Sequence, residues 1–125
     1  MFVRFVELPA VDQDRAVRFY TEMLGFRVAE DAAYQDGWRW LLLEIPGAET
    51  KILLTKKDAG DNPNSSRPNL ALTVDDVEGL YRELKEKGVE FPQELTSASW
   101  NPAETYAVLK DSEGNLVLIG SVPAA

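Results

Sequence analysis

The chain has 125 residues, 45% of them hydrophobic, which suits one compact domain with a real core. Lys and Arg number 13 against 21 Asp and Glu, and the formal net charge of −8 repels phosphate backbones and anionic lipid while favouring a cationic ligand. With no cysteine and no histidine, disulfides, thiolate nucleophiles, cysteine metal sites and a Ser-His-Asp nucleophile are all excluded.

No apolar run reaches membrane-spanning length, and Met1-Phe2-Val3-Arg4 does not open a signal peptide. The expected location is the cytoplasm, with neither a membrane nor a nucleic acid as partner. In chain order, Phe2 to Leu8 reads as a strand ended by Pro9. Asp12 is a helix cap, followed by Ala16, Phe19, Tyr20 and Met23 on one face, with Gly25 closing the helix. Phe26 to Ala29 forms a short strand, and Ala32 to Gly37 is polar and turn-like. Trp38 to Ile45 is strongly strand-forming, Pro46-Gly47 turns the chain, and Thr50 to Lys56 is another strand. Lys51, Lys56 and Lys57 read as strand-edge gatekeepers. Asp58 to Pro68 holds Gly, Asp, Asn, Ser and two prolines, the composition of a linker.

The stretch RPNLALTVDD, Arg67 to Asp76, then starts the same order again. Asn69, Ala71 and Thr73 alternate with Leu70, Leu72 and Val74, a half-buried strand. Asp75 or Asp76 caps a helix over Val77 to Lys87, stopped by Gly88, whose wet face carries Glu83, Lys85, Glu86 and Lys87. A strand Val89 to Leu95 follows, then a loop Thr96 to Ala103 that contains Trp100. Strand Glu104 to Lys110, the turn Asp111 to Asn115 and strand Leu116 to Ser121 complete the chain.

Each half therefore reads strand–helix–strand–strand–strand, and Phe5 falls on Asn69 as Leu53 falls roughly on Leu118. The expectation is an α+β domain over residues 1–125, built of two βαβββ modules at about 1–57 and 68–121. Each largely antiparallel sheet has a helix on one side, leaving the other faces to curve around a central cavity.

The opening ELPAVDQDRAVRFYTEMLGF, the middle NLALTVDDVEGLYRELKEKGVEF and the end KDSEGNLVLI resemble the vicinal oxygen chelate superfamily. That group includes glyoxalase I, extradiol dioxygenases and the bleomycin-resistance proteins, and the resemblance covers nearly the whole chain. Ser112 stands where the family usually has proline in its DPDGN turn. The resemblance implies a cavity in which enzymes hold one divalent metal through four strand residues. Those positions carry Phe5, Leu53, Asn69 and Leu118 here. Phenyl and isobutyl groups offer no lone pair, so neither metal nor other cofactor is expected. Family members commonly dimerise, which implies a homodimer.

The candidate ligand-binding residues are Phe5, Glu7, Trp38, Trp40, Leu53, Asn69, Trp100 and Leu118. Phe5, Leu53 and Leu118 suit either a ligand wall or ordinary core. Trp38 and Trp40 share one strand face with Leu42, and Trp100 lies where family members cover the cavity mouth; aromatic walls suit flat or cationic ligands. Alternation sets Glu7 on the cavity face, as a base, as a partner for a ligand cation, or as a solvated strand end. The Asn69 amide could orient a ligand or satisfy the backbone. Three functions follow: a metal-free binding protein for an apolar, aromatic or cationic small molecule; a metal-independent lyase, isomerase or epimerase with Glu7 as base; or a dimeric interaction module with a filled cavity.

Overall fold

A computed structural model describes residues 1–58 and 66–121; most of the linker lies outside the described residues. The chain divides into two compact units, residues 1–63 and 64–125. Each contains a helix and a four-stranded mixed sheet, a glyoxalase-like α+β arrangement.

The first unit runs β1 (Phe5–Ala10), α1 (Gln13–Leu24), β2 (Arg27–Gln35), β3 (Trp38–Glu44) and β4 (Lys51–Lys56). Its strand order is β1-β4-β3-β2, with β1 parallel to β4 and the other pairs antiparallel. The second unit repeats this as β5 (Leu70–Val74), α2 (Val77–Glu86), β6 (Gln93–Ser97), β7 (Thr105–Lys110) and β8 (Leu116–Ser121). Its order is β5-β8-β7-β6, again with one parallel pair, β5 to β8. No helix among the described residues is long and apolar enough to cross a membrane.

Both helices start on aspartate. Asp12 Oδ1 accepts from the Arg15 amide at 3.0 Å and Asp76 Oδ1 from the Gly79 amide at 2.9 Å, each satisfying a first-turn donor. Gly79 is fixed by this cap, because a Cβ there would lie 2.3 Å from Asp76 Oδ2. The core of the first unit is the sheet face made by Leu8, Ala10, Leu41, Leu43, Ile52 and Leu54, with Ala16 and Tyr20 buried on α1. In the second unit Ala107, Leu109, Val117 and Ile119 play that part, with Val77 and Leu84 buried on α2. Alternation along each strand separates this face from the other.

Five expectations need correction. Pro9 lies inside β1 instead of ending it. The Arg4 and Ala10 carbonyls accept from Lys51 and Lys57, so even-numbered residues bond to β4 and the proton-less Pro9 nitrogen points away from the ladder. Strand β2 extends to Gln35, through the polar segment that reads as a turn. It is the exposed edge strand, where polar residues are at home, and the chain reverses at Gly37 with φ 84°. Strand β6 starts at Gln93; before it the chain makes only an isolated backbone bond to β7, the Glu90 carbonyl accepting from the Lys110 amide at 2.9 Å. Lys51 and Lys56 are at the ends of central strand β4 and guard no sheet edge. Lys56 Nζ instead donates to the Val11 carbonyl at 2.6 Å and the Lys57 carbonyl at 3.1 Å. Finally, the buried face of α1 takes in Gln13, while Phe19 and Met23 are half-buried.

Gln13 is buried and ties the helix start to two strands. Its Nε2 donates to the Arg39 carbonyl at 2.8 Å and the Leu54 carbonyl at 3.0 Å, and its Oε1 accepts from the Arg39 amide at 3.0 Å. Removing the amide leaves buried backbone groups unpaired, at about 1–3 kcal/mol. Gln13→Leu should lower the unfolding free energy by that amount, read in urea as a lower midpoint with an unchanged slope. An unaltered midpoint would show that the tie contributes nothing.

Candidate ligand-binding site

Arg39 tells the two faces of the first sheet apart. Its guanidinium bonds Asp14 on α1 at 2.8 Å and Asp31 on β2 at 3.0 Å, so residues in step with Arg39 face the helix. The Asp31 hydrogen bond, then that of Asp14, raises the Arg39 pKa above its ordinary value. Trp38, Trp40 and Leu42 alternate with Arg39 and occupy the opposite face.

On that face the register sets Glu7, Leu53, Leu42 and Glu30 side by side across all four strands. Leu53 and Leu42 are buried, whereas Glu7 and Glu30 are exposed. Phe5 on β1 and Trp40 on β3 meet edge to face with centroids 5.8 Å apart. Because β4 lies between those strands, the two rings meet above it. The Arg4 guanidinium lies 5.9 Å from the Phe5 centroid.

Further rings extend this contact toward the β2–β3 turn. Tyr34 meets Trp38 at 4.7 Å, with planes 88° apart, and Trp40 at 5.5 Å and 62°. Both indole N–H groups are tethered: Trp38 Nε1 donates to Gln35 Oε1 at 2.7 Å and Trp40 Nε1 to Glu30 Oε2 at 3.0 Å. These bonds fix the ring planes without occupying the ring faces. Beside the turn lies a cleft of about 660 Å³, walled by Tyr34, Gln35, Trp38 and Arg39 and by Asp12 to Arg15 at the start of α1.

The remaining candidates belong to the second unit. Asn69 is exposed just before β5, and its backbone amide donates to the Leu116 carbonyl at 2.9 Å. Leu118 is half-buried between Ala71 and Val108 in the sheet register. Trp100 is 60% exposed, packs on Tyr106 with centroids 4.8 Å apart, and donates from Nε1 to Glu104 at 2.6 Å. Also in this unit, Tyr81 and Lys85 on α2 both bond Glu94 on β6. The Tyr81 bond, then that of Lys85, lowers the Glu94 pKa.

The structure thus brings Phe5, Trp38 and Trp40 into one row of rings and sets Glu7 beside Leu53. It adds Tyr34 and Glu30, which sequence reasoning missed. Tyr34 is the one aromatic residue in the polar segment before Gly37, and that was the available signal. Its direction follows from a bulge: Ala33 pairs with Arg39 and Gln35 with Trp38, leaving Tyr34 as the extra residue.

A family model, the Glyoxalase/Bleomycin resistance protein/Dioxygenase superfamily, matches residues 3–119. The chain belongs to that superfamily. The uncharacterized protein YetH of Bacillus subtilis (strain 168) is 31% identical over 108 residues, covering 86% of this chain and 88% of YetH. Among solved structures, TnmS3, an antibiotic binding protein from Streptomyces sp. CB03234, is 28% identical with TM-score 0.79, covering 99% of this chain and 97% of that one. A superfamily member from Sphaerobacter thermophilus DSM 20745, 24% identical, shares the fold at TM-score 0.84 with 98% of each chain covered.

The superfamily implies a divalent metal, and the donor chemistry here does not fit one. Phe5 and Leu53 carry no lone pair, and the Phe5 ring is engaged by Trp40 and Arg4. Among the described residues, no group of three or more His, Cys, Asp or Glu side chains is placed to hold an ion.

Phe5 is half-buried, so Phe5→Ala should cost less than the roughly 3–5 kcal/mol of a fully packed phenylalanine. Urea unfolding measures the difference. A loss in the full range would make Phe5 ordinary core and argue for a filled face.

Proposed function

We propose that this chain is a metal-free, non-catalytic binding protein for a small apolar, aromatic or cationic molecule. The observation that carries the reading is the continuous row Phe5, Trp40, Tyr34 and Trp38, on the sheet face turned from α1 and flanked by the Glu7 and Glu30 carboxylates. Tyr34 is 52% exposed and both tryptophans are half-buried, so the row offers stacking surface instead of closing as core. The likeness to an antibiotic binding protein supports the same class of role. In this reading residues 1–125 act as one functional domain in the cytoplasm.

A screen of aromatic and cationic compounds by tryptophan fluorescence tests the proposal. Ligands should change the emission and raise the melting temperature, and Trp40→Leu should weaken binding at least about tenfold. Cationic ligands should bind less tightly as salt screens the net charge of −8. Zinc, nickel, manganese or iron(II) should leave the melting temperature unmoved. Metal-dependent stabilisation, or silence across a broad screen, would overturn the reading.

We also propose a two-fold homodimer. The edge strand β2 is exposed along all nine residues, and Phe2, Val3 and Val6 leave apolar surface at β1. Such edges are usually paired or covered. Light scattering should return twice the chain mass; a value near 13.9 kDa at micromolar concentration would exclude the dimer.

A further inference from the structure

We infer that Tyr34, Trp38 and Trp40 form an aromatic cage for a quaternary or multiply methylated ammonium group, beside the β2–β3 turn on the sheet face turned from α1. This names the ligand chemistry of the face described above, and rests on the reading that the face binds a small molecule.

Local backbone geometry builds the cage. Trp38 and Trp40 alternate with Arg39 on β3 and so share one face. Opposite them, the bulge between Ala33 and Gln35 frees Tyr34 from pairing, and its ring meets both indoles. A bulge on an exposed edge strand is a common means of re-aiming one side chain. The plane angles of 88° and 62° to Tyr34 make walls of different orientation, whereas a single stacked pile would present one ring face.

A cation is attracted to an aromatic face within about 6 Å of its centroid, most strongly to tryptophan. The Trp38 and Trp40 centroids lie 4.7 and 5.5 Å from that of Tyr34, so the three rings are close enough together for one cation to contact more than one of them. No Lys or Arg among the described residues occupies these faces. The nearest candidate in sequence, Arg39, points to the helix side and is held by Asp14 and Asp31.

The polar tethers favour a cation over a neutral apolar group. Glu30 holds Trp40 Nε1 through Oε2, which adds a negative charge beside the cage. Gln35 holds Trp38 Nε1, so neither indole N–H faces an incoming ligand as a repelling donor. Methylation matters because a strongly hydrated ammonium keeps its water, whereas a methylated one offers an apolar surface that still carries charge.

The test titrates choline and tetramethylammonium against the intact protein, alongside the neutral isostere of choline in which carbon replaces nitrogen. Choline should change tryptophan emission and bind at least about tenfold more tightly than the isostere. Tyr34→Leu and Trp38→Leu should each weaken choline about tenfold or more with the melting temperature nearly kept. Equal binding of choline and isostere would overturn the cage, as would no choline binding at millimolar concentration. If flat aromatic compounds then still bind in a manner sensitive to Phe5→Ala, the cage fails while the binding-protein reading stands. If they too are silent, both fail.

Discussion

The Gln13 amide is the contact on which the aromatic end of the first sheet depends. Three hydrogen bonds join the start of α1 to β3 at Arg39 and to β4 at Leu54. They substitute for ladder bonds just beyond Leu41–Leu54, where the β3–β4 pairing ends. Without them, the tip of the β2–β3 hairpin would be held mainly by Arg39 and its two carboxylates, which are partly exposed and so weak anchors. With them, Arg39 has a fixed backbone, and its neighbours Trp38 and Trp40 are aimed at the opposite face.

That division of labour explains why the two faces of β3 carry such different chemistry. On the helix side, Leu41 and Leu43 are sealed into the core, and Arg39 closes its end with an ion-pair network. On the other side, only Leu42 is sealed, while the tryptophans are half-buried with their N–H groups tethered. A half-buried indole with a satisfied donor keeps apolar surface available at little polar cost. This is the arrangement expected of a surface that exchanges water for ligand.

The duplicated second unit keeps the topology and drops this chemistry. Where β3 has Trp38, Trp40 and Leu42, β7 offers Tyr106 and Val108, and Leu118 is less buried than Leu53. Its polar ties lie elsewhere. Asp111 accepts from the Glu113 and Asn115 amides and from Asn115 Nδ2 to shape the β7–β8 turn, and Glu94 joins β6 to α2 through Tyr81 and Lys85. The same fold can therefore carry a rich and a plain face, because topology depends on the core side of each strand while chemistry depends on the other.

The sequence by itself determined the parts governed by local and periodic physics. Capping aspartates, alternation in NLALTV and KILLT, and the Glu113-Gly114-Asn115 turn reported the two modules and their order, and strand Leu116 to Ser121 has the bounds read from it. Parity along β3 was likewise enough to set Trp38, Trp40 and Leu42 on one face. Tertiary structure decided what depends on partners distant in the chain. Pro9 is tolerated because of which side of β1 bonds to β4, and Gln13 is buried because two carbonyls and an amide await it. The reach of β2 and the aim of Tyr34 follow from a register with β3 that breaks twice. A bulge is a property of two strands together, so neither strand's own sequence announces it.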